Sequence, residues 1–133
     1  MRGKTNVINR CIFSFDIKGE ILLDSDVLNL TSPNEYELSW YLPEDNGVPI
    51  DYFEISAYPV RWQDSTLSWS RIRNAPFRRY EVPHPGNVRY LVTELYADTH
   101  YTMEIRAHNP RGYSRVSSIT VKTARGKHLL CIN

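Results

Sequence analysis

Four histidines are the first residues to test for chemistry. His100 and His108 fall in one segment of alternating polarity. On an extended strand they stand ~27 Å apart, so one metal ion cannot take both. His84 lies among prolines and His128 near the C-terminus, and no pair has the spacing of metal ligands. Glu44 and Asp45 sit among turn residues, where acidic side chains serve backbone geometry rather than acid–base work. No serine stands in a Gly-x-Ser-x-Gly turn, and no glycine-rich phosphate loop occurs. The residues predict no catalysis, cofactor or metal centre.

The chemistry they do offer is recognition. Arg71, Arg73, Arg78 and Arg79, with Arg61 nearby, interleave with Trp62, Trp69, Phe77 and Tyr80. That mixture suits an anionic partner, such as a sulfated glycan or an acidic protein face. The plainer alternative is a solvated edge whose arginines pair with local acids or lie over apolar surface. A second candidate joins Tyr52, Glu54, Ser56 and Tyr58 with Thr102, Glu104, Arg106 and His108. If the two segments are strands of one sheet, ~4.8 Å apart, these side chains form one protein-binding face. Tyrosine and arginine are the types that anchor interfaces. The alternative is an ordinary wet face with glutamate–arginine pairs. Asn29-Leu30-Thr31 is an N-glycosylation sequon, which makes Asn29 a candidate glycan site.

Strands must position these residues. Tyr36, Leu38 and Trp40 alternate with polar neighbours, and Ile50, Phe53, Ile55 and Ala57 are expected at the inner positions of the next strand. A further strand surrounds Trp69 and Ile72, and another carries Val88, Tyr90 and Val92. Tyr101, Met103, Ile105 and Ala107 point one way and Thr102, Glu104, Arg106 and His108 the other. Ile119 and Val121 anchor the last strand. Residues 20–30 suit an edge strand broken near Asp24-Ser25-Asp26. Turn residues punctuate the series at Ser32-Pro33-Asn34, at Pro43 to Pro49 and at Asn109-Pro110-Arg111-Gly112. Residues 57–88 hold Pro59, Pro76, Pro83 and Pro85 and are expected to loop out.

The segment Leu95-Tyr96-Ala97-Asp98-Thr99-His100-Tyr101 fits a strand that ends, turns and restarts. With Tyr101 packed inside and its hydroxyl on upstream backbone, it is a tyrosine corner of immunoglobulin-like sandwiches. Together with Leu38-Ser39-Trp40, Asp45-Asn46-Gly47-Val48-Pro49-Ile50, Trp69-Ser70-Arg71-Ile72, Ala107-x-Asn109-x-x-Gly112-x-Ser114 and Val121-Lys122-Thr123, it resembles a fibronectin type III domain. The kind is that of neural-type cell-adhesion molecules and cell-surface receptors. The resemblance implies an all-β, seven-stranded antiparallel β-sandwich over residues 20–123, between tails 1–19 and 124–133. Trp40, Leu95 and Tyr101 are its structural core. Tyr113-Ser114-Arg115-Val116-Ser117 is similar to the Trp-Ser-x-Trp-Ser motif of cytokine receptors, but both tryptophans are replaced. Arg111-Gly112 precedes Tyr113 rather than an aspartate, so no integrin-type carboxylate is carried over.

At 133 residues, 41% of them hydrophobic, the chain can bury one core, and its net charge of +1 offers no field for nucleic acid. No apolar run approaches the ~18 residues of a membrane helix. Arg2 and Lys4 precede no signal-peptide pattern, because Asn9 and Arg10 interrupt the apolar stretch. The chain is expected to be a piece of something larger or a product made without its own address. Cys11 and Cys131 are either two free thiols in tails or a disulfide across them. An odd number of antiparallel strands sends the termini to opposite poles, so a bridge within ~7 Å requires the tails to fold back. The expected role is a module that binds protein partners or spaces other domains at the cell surface. A muscle or cytoskeletal scaffold inside the cell is the alternative.

Overall fold

Two long runs of period-two alternation set the architecture. In a computed structural model, which describes residues 17–18 and 27–126, they become β3 (Tyr52–Gln63) and β7 (His100–Asn109). The other strands are β1 (Leu28–Asn29), β2 (Tyr36–Ser39), β4 (Ser68–Arg71), β5 (Arg78–Pro83), β6 (Arg89–Val92), β8 (Gly112–Tyr113) and β9 (Ser117–Lys122). β3 and β7 pair antiparallel with Ile55 opposite Ile105 and Ala57 opposite Met103. β9 flanks β7, and β1 runs parallel along β9. On its other side β3 takes β5 along residues 52–57 and β4 along residues 60–63. β2 and β6 form the second sheet, with Leu38 opposite Tyr90.

The inner faces of the two sheets make the β-sandwich core. Leu38, Trp40 and Val92 meet Phe53, Ile55, Met103, Ile105 and Val121, all fully buried. Trp40 packs its ring 5.1 Å from that of Phe53. The first pairing begins inside the span assigned above to the N-terminal tail. Ile17 bridges Trp40 and enters the core, and the Lys18 N–H donates to the Ser39 carbonyl. At the other end the Ala124 N–H donates to the Ser32 carbonyl, one residue past the expected boundary. Cys11 and Cys131 lie outside the described residues.

Residues 57–88 do not loop out as expected. β3 continues through Pro59 to Gln63, a tight turn over residues 64–67 returns the chain as β4, and β5 follows. Pro76 lies just before β5 and Pro83 is its last residue, so those two bound a strand rather than interrupt one. Pro59 sits within β3, and its carbonyl accepts from the Ile72 N–H.

At the corner before β7 the Tyr101 hydroxyl accepts the Tyr96 N–H at 2.8 Å, and the Leu95 N–H donates to the Asn34 carbonyl. Glu94 and Asp98 hold positive φ, 60° and 53°, which turns the chain sharply on either side. Tyr101→Phe keeps the ring and removes the acceptor. We expect a loss of about 0.5–1.5 kcal/mol, the usual net worth of one hydrogen bond, read as a lower urea midpoint. Equal midpoints would show that the hydroxyl adds nothing.

Candidate functional site

The outer face of the large sheet is built by register. Across β3 and β7, Tyr52 stands opposite His108, Glu54 opposite Arg106, Ser56 opposite Glu104 and Tyr58 opposite Thr102. β5 adds Arg79 beside Ser56, and β9 adds Ser118 beside Glu104 and Thr120 beside Thr102. Partners in register share a face, so residues far apart in sequence become neighbours.

Their contacts differ along the face. Glu54 is nearly buried, and Arg106 holds it with Nε and Nη2, each at 2.8 Å, while Arg79 Nε lies 3.7 Å away. The Arg106 guanidinium also lies 3.6 Å from the centre of the Tyr113 ring. An arginine stack therefore forms on the tyrosine that stands in place of the motif's tryptophan. The Tyr52 ring stacks on His108 at 4.5 Å, its hydroxyl shares a 2.8 Å hydrogen bond with that of Tyr113, and His108 Nδ1 meets Asp51 Oδ1 at 2.7 Å. Toward the other end, Tyr58 donates to Glu104 Oε2 at 2.8 Å and stacks on Phe77. Arg71 lies 4.4 Å from the Phe77 ring and 5.5 Å from that of Tyr58, and Arg79 lies 5.4 Å from Phe77. Among the described residues Arg71 has no carboxylate in salt-bridge range.

The four-arginine patch expected from sequence is divided. Arg71 and Arg79 join the outer face. Arg78, one residue from Arg79, points the other way and binds the Thr93 and Glu94 carbonyls and the Glu94 carboxylate. Arg73 is exposed in the turn after β4. Asn29 is exposed on β1 beside Lys122 of β9. Among the described residues no group of three or more histidines, cysteines or acids could hold a metal ion.

Residues outside the expected face complete it. Trp62 and Trp69 sit opposite each other in the β3–β4 hairpin, with their rings 5.3 Å apart at 71°. With Tyr58, Arg71, Phe77 and Thr102 they line an open groove of about 570 Å³. A smaller hollow of about 190 Å³ lies between Phe77, Arg79, Arg106 and Val116. The signal that could have found the groove was alternation continuing past Pro59 to Val60 and Trp62.

Tyrosine ionisation is opposed on this face. Burial, then the bond to Glu104, pushes the Tyr58 hydroxyl far above its ordinary value. Its hydrogen bond to Tyr113 pushes Tyr52 up to about 12. Burial likewise raises Tyr101. A folded chain whose tyrosines ionise later than the unfolded chain's binds more protons above about pH 10, so stability falls as pH rises there. Stability should decline above about pH 10, with a shallower decline for Tyr58→Phe in urea titrations at stepped pH. An unchanged slope in Tyr58→Phe would exclude Tyr58 as a contributor.

The profile of the fibronectin type III domain matches residues 26–123. Fasciclin-2 of Schistocerca americana is 32% identical over 102 residues. The match takes in 77% of this chain and 11% of Fasciclin-2, so the chain spans about a tenth of that protein's length. Two solved structures share the fold. The fn3 domain of the human collagen alpha-1(XX) chain superposes with a TM-score of 0.55 at 22% identity, covering 76% of this chain and 82% of that one. The FN5 domain of Drosophila Lar does so with a TM-score of 0.51 at 18% identity, covering 86% and 96%. The profile match runs the length of the sandwich and takes in both sheets and the corner at Tyr101, and on it the chain belongs to the fibronectin type III family.

Proposed function

We propose that this domain is a non-catalytic interaction module of a cell-surface adhesion or receptor protein, and that it docks a protein partner on the outer face of its large sheet. Kinship with Fasciclin-2 supports the setting, and fibronectin type III domains are generally non-catalytic. The observation that carries the docking surface is the run of stacked cations and rings: Arg71 and Arg79 about Phe77, and Arg106 on Tyr113. Packing against aromatic faces holds these guanidinium groups in place, so little side-chain entropy remains to be lost on binding. Phe77, Tyr113 and Val116 are exposed beside them and offer apolar area next to charge. Arg71, with no acidic partner among the described residues, favours a partner segment that carries a carboxylate.

The test is to screen the domain, displayed as a tetramer, against an array of cell-surface ectodomains. Arg71→Ala, Phe77→Ala and Tyr113→Ala are then measured on each ectodomain found, after urea unfolding confirms the fold. An anchor should cost ~2 kcal/mol or more, roughly thirtyfold in affinity. If all three variants bind as wild type does, the partner docks elsewhere on the domain. If no ectodomain binds, the domain acts as a spacer.

A further inference from the structure

Residue Asn29 and the tryptophan groove share one face. Leu28 and Leu30 pack against the core, so Asn29 between them points outward, and it is exposed. It pairs in register with Lys122, and Lys122 pairs with His100. The His100 ring in turn lies 4.8 Å from that of Trp69. Three strand spacings, roughly 15 Å, lead from Asn29 across the sheet to Trp62 on β3, and a fourth reaches Trp69 on β4.

We propose that Asn29 carries an N-linked glycan whose core lies back across the outer face and packs on Trp62 and Trp69. This rests on the cell-surface setting proposed above. In the transfer, the Asn29 amide nitrogen attacks the anomeric carbon of a polyprenyl diphosphate-linked oligosaccharide. The nitrogen loses one proton, the C–N bond forms, the C–O bond breaks, and polyprenyl diphosphate leaves. The groove suits what would then lie on it. Pyranose rings present apolar C–H faces to indole rings and hydroxyls to the polar side chains Ser118, Thr120 and Glu104 that also line it. At about 570 Å³ the groove falls within the range of ligand sites. The tether makes the contact intramolecular, so weak stacking is enough to hold it. The glycan covers the Trp62–Trp69 end of the groove, while Arg71 and Phe77 at its other end, and Arg106 and Tyr113 beyond them, stay open to a partner.

The test uses the whole chain secreted from cells that make oligomannose glycans, labelled with ¹⁵N-tryptophan. Intact mass and the three indole N–H resonances are recorded before and after endoglycosidase trimming to a single sugar. We expect a glycan mass that Thr31→Ala abolishes. Trimming should shift the Trp62 and Trp69 resonances and leave that of buried Trp40 in place. A secreted chain without glycan mass overturns the proposal, and so do Trp62 and Trp69 resonances unmoved by trimming. Neither failure touches the affinities of the Arg71, Phe77 and Tyr113 variants, which test the docking surface separately.

Discussion

Replacing Trp40 with alanine is expected to remove about 3–5 kcal/mol of folding stability, the scale for truncating a buried large aromatic. Trp40 is fully buried, packs on Phe53, and is held on both sides by backbone, with Ile17 bridging it and its N–H on the Val88 carbonyl. Collapse around the deleted ring would have to move two sheets, so most of the cavity should persist. A domain of this size has about 5–15 kcal/mol in all, so the variant stands near the threshold of folding. The measurement is the urea midpoint, with the m-value unchanged if the native state keeps its compactness. Trp40→Phe should lose less, because it keeps ring area and also removes a buried indole N–H that has no acceptor among the described residues. A loss below 1 kcal/mol for Trp40→Ala would mean the sheets close over the gap.

Arg106→Ala should cost about 2–3 kcal/mol. It strips Glu54, whose side chain is only 7% exposed, of the hydrogen bond from Nε and the ion-pair contact from Nη2, both at 2.8 Å, and leaves Arg79 at 3.7 Å as its cation. Breaking a fully buried pair costs about 3–5 kcal/mol, because the surviving charge stays desolvated. Two observations lower the figure here: the Arg106 side chain is 34% exposed, and Arg79 remains beside the carboxylate. The stack on Tyr113 goes as well. Replacing Glu54 and Arg106 together by methionine should recover most of the loss, since apolar residues of similar volume often match a buried ion pair. The check is a double-mutant cycle in urea. A loss under 0.5 kcal/mol for Arg106→Ala would show that water reaches Glu54 freely. Because Arg106 supports the fold, it makes a poor probe of partner binding, and Arg71, Phe77 and Tyr113 make better ones.

The proposed glycan and the proposed partner site divide one sheet face between them. Lys122, which bonds Asp98 at 2.9 Å, and His100, whose pKa is lowered by burial and then by Lys122, form the strip between Asn29 and the tryptophans. At the opposite end, Tyr52, His108 and Tyr113 pack on one another beside Arg106. One domain can thus present a shielded end and a free end on the same surface.

The sequence by itself determined the all-β class, the family and which way the residues of each strand point. Period-two alternation is local, so Phe53, Ile55, Tyr101, Met103 and Ile105 could be assigned to the inside and Tyr52, Glu54, Arg106 and His108 to the outside without knowing which strands are neighbours. Lateral pairing was decided only in three dimensions. That β3 runs on to Gln63 and brings Trp62 against Trp69 follows from the hairpin closing, not from the prolines that surround it. Arg78 and Arg79 look like one basic cluster in sequence, yet consecutive residues of a strand face opposite ways, so once β5 formed they had to part. Arg106 met Tyr113, and Asn29 came into line with His100, through contacts between segments remote in sequence. Alternation specifies a residue's face within its own strand. Its neighbours across the sheet depend on strand order and register, which the burial of the whole core selects.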